Sequence, residues 1–180
     1  MCDPFRISEK ESCLVYSIGS NNNFMFEEAV LEEISPDCEI HTFDHTVGPA
    51  PSKKPTKVLF HPWALGKAAG PAGRSMPEIV RELGHSGKVI DILKIDCEGC
   101  EWTTYKEWFG EDVYIRQLQV ELHKGTPQPA QQFFEFLQQL GYVVFHKEPN
   151  TLGCGGSCIE YAFLKLNPSF QQQPSALRPA

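Results

Sequence analysis

A chain of 180 residues, 41% of them hydrophobic, is long enough to bury one sizeable core, so a single main domain is expected. Its formal net charge is −7, and it has no basic cluster beyond Lys53, Lys54 and Lys57. That balance argues against a nucleic-acid partner, though not against a nucleotide.

No stretch reaches the roughly 18 apolar residues of a membrane span. Met1–Lys10 lacks the apolar centre of a signal peptide. A cytoplasmic protein is expected, with a longer parent carrying a targeting segment left open. The seven cysteines are Cys2, Cys13, Cys38, Cys97, Cys100, Cys154 and Cys158. Their odd number, without a secretory signal, favours reduced thiols. Cys97-x-x-Cys100 together with Cys154-x3-Cys158 also admits a four-thiolate zinc site.

In chain order, residues 1–12 read as a lead-in. Cys13–Gly19 reads as a first strand, running into the polar turn Ser20-Asn21-Asn22-Asn23. Phe24–Ile34 has an apolar side at helical spacing, with Asn23 as its N-cap and Glu27 and Glu28 in the first turn. A glycine at a strand–helix turn lets a ligand approach the backbone and the free N–H groups of the helix start. The full G-x-G-x-x-G fingerprint is absent, because Asn21 and Phe24 occupy its later glycine positions.

Cys38–Asp44 is a second strand, ending on an acid 25 residues after Gly19. A carboxylate at this distance suits ribose hydroxyls, or else opens an Asx-turn. Val47–Thr56 is a loop, Lys57–His61 a third strand, and residues 62–73 a Gly/Ala/Pro-rich connection. Trp63 and Leu65 are equally consistent with an apolar slot for a flat ring and with ordinary core. Ser75–Leu83 is a helix, with Pro77 near its start and Gly84 at its end.

The stretch Ile90–Trp102 organises the rest. Ile90, Ile92, Leu93 and Ile95 read as a buried strand that stops at Asp96, with Glu98 and Glu101 following. Ligands of open α/β sheets bind at that edge, which favours a functional Asp96. Glu98 and Glu101 could serve there too, or only favour the positive start of the next helix. Trp102–Phe109 reads as that helix and Val113–His123 as a fifth strand. His123, also at a strand end, is either a base or substrate contact, or an exposed loop histidine. Pro129–Leu140 is a helix, and Tyr142–Lys147 and Ile159–Leu166 are antiparallel neighbours. Past Asn167 the Gln/Pro/Ser composition predicts a disordered tail over 168–180.

The order is strand–helix repeats closed by an antiparallel pair. It predicts an α/β three-layer sandwich with a mostly parallel, Rossmann-like sheet over residues 13–167. Within it, Lys94-Ile-Asp-Cys-Glu-Gly-Cys-Glu101 resembles the Lys-Ile-Asp-x-Glu-Gly-x-Glu signature of FkbM-type and methyltransferase-like S-adenosylmethionine-dependent methyltransferases. Val15–Gly19, His41–Asp44, Leu83–His85, Gln119–His123 and the strand pair near Tyr161 resemble further parts of that pattern. The chain departs from it in keeping Gly19 alone of the usual Gly-x-Gly, and in having cysteines at 97 and 100.

The resemblance implies S-adenosylmethionine lying across the strand ends. Ser17, Ile18, Gly19 and Ser20 would meet its methionine half by backbone, Asp44 would hold its ribose, and Trp63, Ala64 and Leu65 would border its adenine. Asp96 would lie near the methionine amine or the transferred methyl. The implied activity is O-methyl transfer to a small-molecule or glycan hydroxyl, with Asp96, Glu98 and His123, in that order, as candidate bases. No dedicated metal is expected, although Asp96 and Glu98 could share a divalent cation with a substrate oxygen. The alternatives are a non-catalytic ligand-binding module on the same fold, a nicotinamide-dependent oxidoreductase and a structural zinc protein.

Overall fold

The computed structural model describes residue 2, residues 4–9 and residues 12–167. The tail expected over 168–180 lies outside the described residues. A short helix α1 (Pro4–Ser8) precedes strand β1 (Leu14–Ile18). Helix α2 (Met25–Ala29) continues as a π-helical turn over Val30–Ile34. Strands β2 (Glu39–Phe43) and β3 (Val58–His61) follow, then the two-residue strands β4 (Ala64–Leu65) and β5 (Gly73–Arg74). Next come helix α3 (Met76–Glu82), strand β6 (Val89–Ile95), helix α4 (Glu101–Thr104), strand β7 (Tyr114–Leu122), helix α5 (Pro127–Gln139) and strands β8 (Tyr142–Asn150) and β9 (Cys158–Lys165).

Seven strands form one sheet in the order β3-β2-β1-β6-β7-β9-β8. The first five run parallel, and β9 is antiparallel to both β7 and β8. This is the Rossmann-like sandwich with a C-terminal antiparallel pair. The strand order reverses between β1 and β6, and such a switch point opens a crevice at the carboxyl ends of the two strands.

Apolar clusters cover both faces of the sheet. Tyr16, Ile18, Phe43, Leu93, Ile95, Trp108 and Phe133 belong to one, and Ile7, Val15, Phe24, Val30, Ile40 and Ile92 to the other. Period-two alternation along β1 and over Ile92–Ile95 of β6 feeds the two layers. Ile7 is 1% exposed, so part of the lead-in packs into the second layer.

Several elements differ from expectation in detail. Asn23 does not occupy the N-cap position; Phe24 does, while Asn23 Oδ1 accepts the Met25 N–H at 3.1 Å. The expected helix over 102–109 begins at Glu101 and tightens into a 3₁₀ turn over Tyr105–Trp108. Ser75 forms a capping box with Glu78 at the start of α3.

The expected reduced thiols are replaced by three disulfides, Cys13–Cys38, Cys97–Cys100 and Cys154–Cys158. Topology explains the first. Cys13 and Cys38 immediately precede paired parallel strands, and the Glu39 N–H donates to the Cys13 carbonyl at 2.8 Å. The other two pairs each close a tight turn. Because Cys97–Cys100 and Cys154–Cys158 pair internally, neither offers thiolates, and the four-thiolate zinc reading fails on that ground.

Candidate active site

The seam between β1 and β6 sets the floor of the site. Gly19 has φ +80°, and a Cβ added there would lie 1.7 Å from the Asp96 carbonyl oxygen. Only glycine lets the two strand ends approach this closely. Beyond it, Asn21 and Asn22 have φ of 45° and 56°. Asparagine is the non-glycine residue that best tolerates the left-handed region. The asparagines therefore supply the backbone conformation that the missing glycines would otherwise provide.

Asp44, at the end of β2, fixes the same turn. Its Oδ2 accepts from the Ser20 N–H at 2.9 Å, the Ser20 hydroxyl at 3.1 Å and the Asn21 N–H at 2.7 Å. Its Oδ1 accepts from the Thr46 N–H at 2.8 Å and the Thr46 hydroxyl at 2.6 Å. Burial alone would raise the carboxyl pKa, but these hydrogen bonds outweigh it and hold the pKa below the usual carboxylate value. The lone pairs are thus committed to the protein, and Asp44 acts first as the clamp on the Ser20–Asn21 turn.

A cavity of about 310 Å³ opens over this floor. Ile18, Phe43, Trp63, Ala64 and Leu65 make its apolar wall, and Gly19, Asn21, Asp44, Thr46, Asp96 and Glu98 its polar side. Ser17 is not on its wall. Buried in β1 at 1% exposure, it leaves its hydroxyl without a partner, and only its backbone could take part in a cofactor contact. Ser20 is turned to Asp44 and borders a second, polar cleft.

That cleft is lined by Ser20, Asn21, Asp96, Glu98, Glu121, His123 and Asn150, among others. His123 is its centre. Its backbone N–H and Nδ1 lie 2.7 and 3.1 Å from Glu101 Oε1. Its Nε2 lies 3.3 Å from Glu98 Oε2, 3.8 Å from Glu121 Oε2 and 3.9 Å from Asp96 Oδ1. Glu101 is fully buried. Its carboxylate holds the imidazole and also takes the Gly99 N–H at 2.9 Å. His123 is accordingly no exposed loop residue, and Glu101 is more than a helix-start charge.

Two further participants were not singled out in the sequence. Glu121 lies in the alternating pattern of β7, yet burial first, and the neighbouring Asp96 carboxyl second, push its pKa up to about 7. Lys94 donates to the Gly19 carbonyl at 2.8 Å and lies 3.5 Å from Asp96 Oδ2. Asp96 Oδ1 is buried without a hydrogen-bond partner. An orphaned acceptor on the wall of a cavity is a place for a ligand donor. Asp96, Glu98 and His123 could also offer one atom each to a cation, all within 4.8 Å of one another.

An apolar slot and a polar cleft at the switch point of a parallel sheet form a crevice of the kind in which open α/β folds bind their ligands. A methyltransferase-domain family model matches residues 1–165, and the chain belongs to that family, which uses S-adenosylmethionine as cofactor. No curated protein sequence matches. Among solved structures, the fold is similar to the Methanococcus jannaschii fibrillarin pre-rRNA processing protein, at 9% identity, TM-score 0.54, over 87% of this chain and 67% of that one. An rRNA methylase from Streptococcus thermophilus is similar at 10% identity, TM-score 0.54, over 91% of this chain and 94% of that one. The M. capricolum TrmK in complex with S-adenosyl-homocysteine is similar at 9% identity, TM-score 0.51, over 92% and 68%.

Proposed function

We propose that this chain transfers the methyl group of S-adenosylmethionine to a hydroxyl of a small-molecule or glycan acceptor, as an FkbM-type enzyme, with His123 as the base. One observation carries this reading: the apolar cavity and the polar cleft meet, with Asn21, Asp96 and Glu98 lining both. A donor and an acceptor can therefore be held end to end, and such orientation supplies about 7–11 kcal/mol of barrier reduction.

When bound, the cofactor supplies a methyl group already activated on a sulfonium. Trp63, Ala64 and Leu65, with Phe43, would hold its adenine, and Ile18 and Gly19 its methionine half. Asp44 would shape the ribose side through the Ser20–Asn21 turn and share an oxygen with the ribose at most. Asp96 offers its orphaned oxygen to the methionine amine or to the acceptor. Glu101 fixes the His123 ring through Nδ1, which leaves Nε2 to take the acceptor proton. A base so placed contributes about 10²–10⁴-fold. Geometry thus moves His123 ahead of Asp96 and Glu98 in that role.

The cleft's charge supports a neutral, hydroxyl-rich acceptor over a nucleic acid. Asp96, Glu98, Glu101 and Glu121 surround one histidine, and a phosphate backbone needs the opposite sign. Three disulfides favour an oxidising compartment over the expected cytoplasm. Among the described residues no helix is long and apolar enough to cross a membrane.

The test is calorimetric binding of S-adenosylmethionine to the native chain, Asp96→Ala and Trp63→Ala, followed by S-adenosyl-homocysteine release with hydroxyl-bearing acceptors. Binding that weakens in both variants, with turnover, is expected. No binding by a folded native chain overturns the reading, and binding without turnover on any acceptor selects the non-catalytic module.

A further inference from the structure

A second cluster of chemistry-bearing side chains lies on the β1–β2–β3 half of the sheet, away from the acceptor cleft. Glu39 and His41 stand two apart on β2 and so share a face. His85 comes from the turn after α3, held there by its N–H to the Val80 carbonyl at 2.7 Å. We propose that Glu39, His41 and His85 form a binding site for a divalent transition metal, zinc first, with a fourth position open to solvent.

Distances argue for it. Glu39 Oε1 lies 3.0 Å from His41 Nε2 and 3.0 Å from His85 Nε2, and the three donor atoms all fall within 4.8 Å of one another. A tetrahedral zinc with bonds of about 2.0–2.1 Å sets its ligand atoms about 3.3 Å apart. Each histidine nitrogen therefore needs to draw away from Glu39 Oε1 by only a few tenths of an ångström. Two imidazoles and one carboxylate also suit zinc better than magnesium or calcium.

The surroundings are those that zinc histidines require, an outer partner for the other ring nitrogen. His41 Nδ1 lies 2.9 Å from His61 Nε2, and His85 Nδ1 lies 2.7 Å from the Tyr16 hydroxyl. His61 is itself stacked on Phe43 at 4.9 Å and packed near Trp63 at 4.7 Å, so the outer shell is rigid. His41 and His85 are each 3% exposed, whereas the Glu39 side chain is 43% exposed. Glu39 also borders a surface depression shared with Lys88 and Asp91, which gives an ion its approach. The Lys88 charge, facing Glu39, opposes a cation only weakly from the solvent side.

Protons balance in both states. Without an ion, both Nε2–H groups donate to Glu39, Tyr16 donates to His85 Nδ1, and His61 donates to His41 Nδ1. With an ion, the imidazole protons move to Nδ1 and donate outward to His61 and Tyr16.

The experiment titrates the chelator-stripped full chain with Zn²⁺ by calorimetry, and separately with Co²⁺ by visible absorption. One site is expected, with the bands of tetrahedral cobalt bound by nitrogen and oxygen and no thiolate charge-transfer band. Glu39→Gln and His85→Gln should each lose at least tenfold in affinity, and Tyr16→Phe about tenfold. Asp96→Asn and His123→Gln should retain the native value. If His85→Gln does not fold, Glu39→Gln decides, because it changes a half-exposed side chain. Absence of zinc binding by the folded native chain overturns the proposal. So does affinity that survives Glu39→Gln, or that is lost in Asp96→Asn and His123→Gln.

Discussion

Replacing Gly19 with alanine should open the seam on which both cavities rest. The added Cβ lies 1.7 Å from the Asp96 carbonyl oxygen, against a floor of 3.0 Å for real contacts, so the strand ends must part by 1.3 Å. That movement takes the Asp96 N–H to Ile18 carbonyl hydrogen bond, 3.0 Å long, out of range. The left-handed backbone adds about 1–2 kcal/mol for alanine, and a lost hydrogen bond about 0.5–1.5 kcal/mol. Together they predict a loss of about 1.5–3.5 kcal/mol, a large part of the roughly 5–15 kcal/mol that holds a domain together. Urea unfolding of native, Gly19→Ala and Gly48→Ala chains measures it. Gly48 is the control, because an added Cβ there meets nothing within 4 Å. The steric account would be refuted if Gly19→Ala lost less than about 1 kcal/mol, or no more than Gly48→Ala.

Asn21→Gly should stay within about 0.5 kcal/mol of native, while Asn21→Ala should cost about 1 kcal/mol or more; equal unfolding midpoints for the two would sink the glycine-surrogate reading. Asp44→Asn offers one acceptor oxygen where five hydrogen bonds now converge, so it should destabilise by about 1–3 kcal/mol and weaken cofactor binding, both read by calorimetry. Glu101→Gln should lower kcat by about 10²-fold or more and leave cofactor affinity within twofold; an unchanged kcat and pH–rate profile would remove Glu101 from its positioning role. Glu121 carries a folded pKa of about 7 against an ordinary 4.5. Its native state therefore binds more protons than the unfolded chain between those values, and stability is present below 4.5 and lost as pH rises through 7. Glu121→Gln should gain on native by on the order of 1 kcal/mol between pH 5 and pH 8, after discounting for solvent in the open cleft. A pH-independent difference in urea midpoints would contradict that shift.

Much of this was legible in the chain because strand–helix alternation leaves a strong pattern. Ile90–Ile95 reads as a buried strand and is one, and Asp44 and Asp96 fall at strand ends because their apolar runs stop there. What escaped the sequence depends on partners far apart in it. Glu101 and His123 are 22 residues apart and are joined only when β6 and β7 pair. Glu121 follows the in–out alternation of β7 and looks exposed, yet the antiparallel β9 sets it opposite Glu160. Cys13 and Cys38 meet because β1 and β2 are parallel neighbours, a fact no spacing rule contains. Asn21 reads as a lost glycine because its left-handed φ of 45° belongs to the folded turn and not to the residue's identity. The histidine cluster needs β1, β2, β3 and the turn after α3 at once, which leaves no local signature.

The placement of charge bears on which step the site is built to help. A sulfonium loses its positive charge as the methyl departs, so carboxylates aimed at it favour the bound ground state more than the transition state. The acids here converge instead on His123, with carboxylate oxygens 3.1–3.9 Å from its ring nitrogens. On the proposed reading, that negative charge stands where positive charge develops as an acceptor hydroxyl gives up its proton. On that reading the field assists deprotonation of the acceptor, while orientation across the shared wall of Asn21, Asp96 and Glu98 serves the displacement. An acceptor that arrives without a proton to lose, such as a thioether or a tertiary amine, would gain nothing from His123. On the proposed reading, His123→Gln should slow methylation of a hydroxyl acceptor by about 10²-fold or more and leave turnover of a tertiary amine, where one is accepted, within a few-fold. Equal losses on both acceptor types would remove the base role and leave His123 as a positioning residue.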